Sequence, residues 1–289
     1  MSRIPTVKLE SGQKMPVLGF GTWKLTGDIC INAVTKALES GYTHIDTADV
    51  YGNHNEVGEA IKGHDRSGLF ITTKVWRSDM DYEGMIRACD KALSELGTDY
   101  IDLYLLHWPN DEIPLKETMK GFRKLLDDGK VRSIGISNFD QRWIKMAIEA
   151  SDIPISVNQV EFHPYLYQKE LLEYCNRENI VLTAYCPVAR GHIQDDPVIG
   201  RIANDHCKNI GQVALRWLVQ HGITVIPKSS GPHIKENMDI FDWKLTKKEM
   251  EAIDSLNKHL RIVNKNFTKI PLFDMVPKSV IKAASNLIR

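Results

Sequence analysis

Cysteine is scarce in this chain. Five occur among 289 residues, at Cys30, Cys89, Cys175, Cys186 and Cys207. Their number is odd and none forms C-x-x-C, so neither a disulfide framework nor a structural zinc site is expected; scattered thiols suit a reducing, cytoplasmic setting. A charge excess is also lacking, with 37 basic against 37 acidic residues. A nucleic-acid binder or a polybasic membrane anchor needs surplus cations, and neither is expected here. No apolar run approaches the ~18 residues of a membrane span, and Met1-Ser2-Arg3-Ile4-Pro5 has no apolar signal core. Gly19 and Gly21 lack the third glycine of a Rossmann fingerprint, so a Gly-rich phosphate turn is not expected. Internal repeats and low-complexity linkers are missing as well. What remains is 43% hydrophobic and 26% charged residues, an ordinary globular composition. The length suits one large domain, expected over residues 1–289.

Strand-like and helix-like segments alternate throughout. Cys30, Ala33, Val34, Ala37 and Leu38 recur at helical spacing, predicting a helix from Asp28 to Ser40 that stops at Gly41. Tyr82, Met85, Ile86, Cys89 and Leu93 mark another, closed by Gly97. Further helices are expected at Asn55 to Lys62, Met119 to Asp128, Gln141 to Ala150 after an Asp140 cap, Lys169 to Glu178, and one ending at Gln212 to Gln220. Thr246 and Glu249 stand at capping-box spacing before a last periodic stretch. Apolar runs lie between them at Leu69 to Lys74, Ile101 to Leu106, Val131 to Ile136, Ile155 to Asn158, Ile180 to Tyr185 and Ile223 to Ile226. With the brief strand ending at Asp46 and one around Pro16 to Gly21, eight strand–helix units result. That count selects an α/β fold of the closed (β/α)8 TIM-barrel type, which typically takes about 250 residues. Val7 to Val17, turning at Ser11-Gly12, reads as an N-terminal hairpin closing the barrel's bottom. A C-terminal loop and helix extension follows, with a helix expected over Lys278 to Ile288.

The strands end in polar residues. Asp46, Lys74, His107, Asn138, Gln159, Tyr185 and Lys228 each fall just after an apolar run, and in a barrel such ends share the C-terminal face where sites are built. Tyr51 follows Asp46 closely. A carboxylate, a phenol, an ammonium and an imidazole together make a proton-donating site that needs no metal. A phenol holds its proton to about pH 10; a neighbouring ammonium favours the phenolate and is expected to lower that value. Asp46 would keep Lys74 charged and in place. Taken singly each residue has a plainer reading: Asp46 a helix cap, Lys74 a snorkelling strand end, His107 a satisfied core histidine, Tyr51 a turn residue. At one barrel face together, they read as catalytic.

These strings, with Gly19-Phe20-Gly21-Thr22-Trp23, Gly129 to Phe139, Asn158-Gln159-Val160-Glu161-Phe162-His163-Pro164 and Ile226-Pro227-Lys228-Ser229, resemble the aldo-keto reductase superfamily over nearly the whole chain. The resemblance implies an NAD(P)H-dependent oxidoreductase that reduces small-molecule aldehydes or ketones to alcohols, with Tyr51 as proton donor, Lys74 and Asp46 supporting it, and His107 orienting the carbonyl. It implies that Ser137, Asn138 and Gln159 hold the nicotinamide carboxamide, that Tyr185 stacks on its ring, and that Thr22 and Asp46 approach its ribose. Lys228, Ser229 and His233 would meet the adenosine 2′-phosphate, and Glu236 and Asn237 the adenine. Trp23, Tyr51, Trp76, His107 and Trp108 would line the substrate mouth. NADPH is the expected coenzyme and NADH the alternative, because His233 stands where the family usually has arginine and a histidine is a less dependable cation. Cys186 replaces a frequent serine, and Asn110 to Leu115 is short, as in compact microbial members. Asn264 to Asp274 would form the other wall of the mouth. By analogy the chain is expected to be a monomer without nucleic-acid or membrane partners.

Two other functions compete. His44, Asp46, His107 and His163 could serve a metal-dependent barrel hydrolase, since His44 and Asp46 point to one strand face; the amides and lysine at the other strand ends argue for the reductase, with no metal. A barrel that binds coenzyme without turnover is the other.

Overall fold

A computed structural model describes residues 4–263. Eight strands form one parallel sheet: β3 (Phe20–Gly21), β4 (His44–Asp46), β5 (Phe70–Val75), β6 (Leu103–Leu106), β7 (Ile134–Ser137), β8 (Ile155–Glu161), β9 (Val181–Tyr185) and β10 (Thr224–Val225), each paired to its neighbours in chain order. The sheet closes on itself. Gly19 N–H donates to Val225 O (2.8 Å), Val225 N–H to Val17 O (2.9 Å) and Gly21 N–H to Pro227 O (3.0 Å), with a parallel bridge between Leu18 and Val225. Gly21 permits this seam, because a Cβ there would stand 2.8 Å from the carbonyl oxygen of Ile226. The strands of the middle of the sheet are buried along their whole length, which explains why they read as continuous apolar runs.

Helices follow the strands: α1 (Gly27–Glu39), α2 (His54–Ile61), α3 (Tyr82–Leu96), α4 (Leu115–Asp127), α5 (Gln141–Ala150), α6 (Lys169–Arg177), α7 (Pro197–Asp205), α8 (Ile210–Gln220), α9 (His233–Glu236) and α10 (Lys247–Asp254). The predicted caps are present: Asp140 accepts from Trp143 N–H, and Thr246 and Glu249 complete a reciprocal box. α4 begins four residues earlier than its apolar spacing suggests, directly after Pro114. β1 (Thr6–Lys8) and β2 (Lys14–Pro16) pair antiparallel as the expected hairpin. Leu9 and Met15 from this hairpin pack on Phe70, Leu103, Leu105 and Val157, and so plug the N-terminal end of the barrel. The opposite end is left to chemistry. Asn264 to Asp274 and the helix expected over Lys278 to Ile288 lie outside the described residues. Among the described residues no helix is long and apolar enough to cross a membrane.

Candidate active site

β4 and β5 are adjacent and in register, which brings their polar ends together. Lys74 Nζ donates to Asp46 Oδ1 (2.6 Å) and to the carbonyl of Thr47 (2.8 Å), and its third contact is Tyr51 OH at 3.4 Å. All three ammonium protons are thereby directed. The Tyr51 oxygen accepts in that contact, so its own O–H is free to donate elsewhere. Asp46 is held on its other side by Gln159 Nε2 (2.7 Å to Oδ2), reaching across the barrel from β8. Asp46 and Lys74 are both shut off from water. Such a pair is retained where its geometry is complete, since removing either partner strands a buried charge.

Tyr51 reaches this cluster from a short helical turn, Asp49–Tyr51, that ends on Gly52 in the left-handed region (φ 60°). Asn53, wholly buried, fixes that turn. Its Nδ2 donates to the carbonyls of Thr22 (3.0 Å) and Leu25 (2.9 Å), and its Oδ1 accepts from Thr47 Oγ1 (2.7 Å). The sequence reading gave Asn53 no role. Its bonds are to backbone brought close only by folding, and its one local sign is its place directly after Gly52.

The expected effect of Lys74 on the phenol is not what the structure shows. Burial raises the Tyr51 pKa well above its ordinary value, and the negative potentials of Asp46, Tyr185 and Cys186 add to the rise. Burial is the larger effect, and the ammonium, bonded to Asp46 and Thr47, meets the phenol only at 3.4 Å. Burial likewise pushes the Lys74 ammonium below its usual value, with Asp46 pulling the other way. The His107 imidazole is held neutral: burial lowers its pKa far below normal and the Lys74 charge lowers it further. The cluster therefore offers a protonated phenol, a directed ammonium and a neutral imidazole.

His107 lies just beyond β6, its carbonyl bonded by Asn138 Nδ2 (3.0 Å) and its Nδ1 without a partner among the described residues. Its ring stands edge-on to Tyr51 (centroids 5.7 Å) and to Trp76 (5.4 Å), and Trp23 packs on Tyr51 at 4.7 Å. Ala48, Val50 and Trp76 form a small apolar cluster with Tyr51 and Trp108 against it. The other four expected mouth residues thus gather around the Tyr51 phenol.

A second group follows β7, β8 and β9. Ser137 Oγ donates to the carbonyl of Gln159 (2.8 Å), and Tyr185 OH donates to Asn138 Oδ1 (2.7 Å). Asn138 takes φ 65°, a conformation asparagine tolerates better than most residues. Thr22 Oγ1 donates to the Asp46 carbonyl (2.9 Å). Hydroxyl and amide groups on neighbouring strand ends, beside the half-buried ring of Tyr185, fit a planar carboxamide-bearing ring by their chemistry. The remaining expected contacts stand apart from the tetrad, on the connection after β10. Lys228 is exposed, Ser229 Oγ accepts from Gly231 N–H (3.1 Å), and Asn237 is buried beside Tyr42. His233 Nδ1 lies 2.7 Å from Glu236 Oε2, which also accepts from Asn209 Nδ2 (2.9 Å).

The competing metal set does not assemble. His44 sits two residues below Asp46, with Nε2 on Thr72 Oγ1 (3.0 Å), and His163 is tied to Glu161. Among the described residues no three His, Cys, Asp or Glu side chains stand where they could hold a metal ion.

A family model described as the Aldo/keto reductase family matches residues 17–258. Glyoxal reductase of Bacillus subtilis is 45% identical over 261 residues, covering 89% of this chain and 94% of that protein. Among solved structures, an aldo-keto reductase from a Medee basin deep-sea metagenome library superposes with a TM-score of 0.87 at 42% identity, over 89% of this chain and 97% of that one. A Bombyx mori aldo-keto reductase in complex with NADP does so at 0.87 and 34% identity, over 95% of this chain and all (100%) of its own.

Proposed function

This chain belongs to the aldo/keto reductase family, an NAD(P)H-dependent oxidoreductase acting on carbonyls, and from that premise we propose that Tyr51 is the proton donor and NADPH the preferred reductant. The observation that carries the reading is the convergence of Asp46, Lys74 and Tyr51, with bonds of 2.6 and 3.4 Å, beside His107 at one mouth of the barrel.

Bound NADPH would supply the hydride that the carbonyl carbon accepts. The chain's own residues do the rest. Aromatic side chains of the mouth exclude water from the reacting carbonyl. The neutral His107 imidazole offers a hydrogen bond to orient it. As negative charge develops on the carbonyl oxygen, the Tyr51 O–H donates its proton there. An alkoxide is a stronger base than a phenolate, so the transfer runs downhill even from a phenol whose pKa burial has raised. Lys74 then faces the phenolate it leaves, at 3.4 Å, and stabilises the transition state by a charge already in place.

Ser137, Asn138, Gln159 and Tyr185 would hold the nicotinamide, and Lys228 the 2′-phosphate. The NADP bound by the Bombyx mori relative supports this coenzyme. The pairing of His233 with Glu236 favours some use of NADH as well, because a carboxylate beside a phosphate ligand weakens it. A panel of small dicarbonyls, aromatic aldehydes and ketones, run with each coenzyme while following loss of nicotinamide absorbance, tests the reading. Turnover unaffected by chelator and faster with NADPH is expected. Activity only after zinc addition, or none with any carbonyl, would sink it.

A further inference from the structure

Glu161 is an acid with no solvent contact at the end of β8, and the chemistry above does not use it. Its Oε1 accepts the backbone N–H of Ile262 (2.6 Å) and lies 3.1 Å from His163 Nε2; its Oε2 accepts the backbone N–H of Val263 (2.9 Å). Two consecutive main-chain donors converging on one carboxylate form a small anion-binding concavity, here filled by the protein itself. The attachment is longer than these two bonds. Gln168 Nε2 donates to the Glu161 carbonyl (2.7 Å), while its Oε1 accepts from Arg261 (3.1 Å). Lys258 and Leu260 N–H both donate to the Tyr165 carbonyl (3.1 and 3.0 Å), and the Lys258 ammonium lies 3.7 Å over the Tyr165 ring. Residues 258–263 thus run as a strap bound along the connection between β8 and α6.

The strap's end has a consequential address. Glu161 is in register with Tyr185 on β9, the ring proposed to lie against the nicotinamide. Burying a carboxylate is costly unless its hydrogen bonds are complete, and an apolar side chain would fill the same space without that penalty. What a carboxylate adds is the capture of main-chain donors.

We propose that Glu161 is a positioning residue: it ties the strap 258–263 to the rim of the catalytic face beside Tyr185 and thereby sets which carbonyl substrates the mouth accepts. The tether stands on its own geometry, and only its effect on substrates rests on the reductase reading.

The test uses the full chain and two substitutions. Glu161→Gln keeps the size but turns an amide N–H toward one of the two backbone donors. Ile262→Pro removes one donor from the other side, on the strap, and leaves the buried acid in place. Trypsin cleavage after Lys258, a strap residue whose following bond neither substitution alters, is read by mass spectrometry and reports release of the strap. Losing a hydrogen bond to a charged group should speed it about tenfold or more in each variant. The double variant should be cut no faster than the quicker single one, because the amide introduced at position 161 can then turn its N–H to the place the Ile262 donor has left and keep its oxygen for the Val263 N–H. In turnover, KM for a bulky aromatic aldehyde should rise about tenfold while kcat, and both constants for a small dicarbonyl, stay within about twofold. Unchanged cleavage in Ile262→Pro, or additive effects in the double variant, would overturn the tether. Faster cleavage with kcat falling alike for both substrates would overturn the role in substrate choice. Wild-type protein lacking turnover would refute the reductase reading instead, and cleavage would still decide the tether.

Discussion

The Tyr51 hydroxyl makes one contact within the cluster, at 3.4 Å from Lys74, so its removal should disturb chemistry far more than structure. Tyr51→Phe is expected to lower kcat for carbonyl reduction by on the order of 10²- to 10⁴-fold, the usual worth of a placed general acid. Coenzyme affinity, measured by fluorescence titration, should move less than about twofold. Near-wild-type turnover in that variant would remove the phenol from the mechanism. Lys228→Ala should weaken NADPH by about tenfold or more and leave NADH nearly unchanged, since a lost charge-assisted phosphate contact affects only the coenzyme that carries the phosphate. Equal losses would mean that Lys228 meets no 2′-phosphate. The juxtaposition of Asp46, Lys74 and His107 was legible in the sequence because each is a charged or polar type at the end of an apolar run, and Tyr51 follows Asp46 closely. Asn53 and Glu161 were not, although Glu161 stands inside a quoted motif and Asn53 directly follows Gly52. Their partners are backbone groups of residues 22 and 25 or 262 and 263, and nothing local to a side chain announces which backbone will fold against it.

Among the elements, the strands and most helices follow the apolar spacing, and the exceptions have physical reasons. α7 is not apparent in the sequence because Pro197 and Gly200 fall within nine residues and read as loop. Proline is harmless at the first helical position, where its missing N–H would be unpaired anyway, and Asp196 accepts from Val198 and Ile199 to cap the turn. β3 and β10 are only two residues each, shorter than their apolar runs, because the seam between them is carried by isolated backbone bonds. β8 extends past Asn158 to Glu161, so its polar end is longer than the apolar stretch that marks it. Spacing also hides how closely the strands pack at Gly135. A Cβ there would lie 2.6 Å from both Leu105 Cδ2 and the carbonyl oxygen of Val157. The second is backbone and cannot turn aside. Gly135→Ala should therefore cost about 1–3 kcal/mol of unfolding free energy, the usual penalty of overpacking, read from urea denaturation. A loss below a few tenths would show that β7 and β8 can separate at no cost.

At the scale of the whole barrel, stability and chemistry share its interior, and pH separates them. His44 lies in the layer below the site, bonded to Thr72 and near the Pro16 carbonyl. Burial lowers its pKa to about 4, against the upward pull of Asp46 and Pro16. Between that value and about 6.5 the unfolded chain binds a proton that the folded barrel refuses, so stability rises with pH across this window. Falling from pH 6.5 to 4 should cost on the order of 3 kcal/mol from this residue alone. Glu161 acts lower on the scale. Burial pushes its pKa up, but His163 and the N–H groups of Ile262 and Val263 outweigh burial and hold it below the ordinary value. Its stabilisation is complete above the usual carboxylate range and is lost as pH falls through the depressed value. The two contributions should separate in urea unfolding measured from pH 7 to 3. His44→Gln, which keeps a hydrogen bond within reach of Thr72 but cannot be protonated, should flatten the slope between about pH 6.5 and 4 and leave the steeper loss at lower pH. Glu161→Gln should do the reverse. A His44→Gln profile parallel to wild type throughout would show that the histidine titrates in the barrel as it does in the unfolded chain, and that the interior beneath the site is open to water.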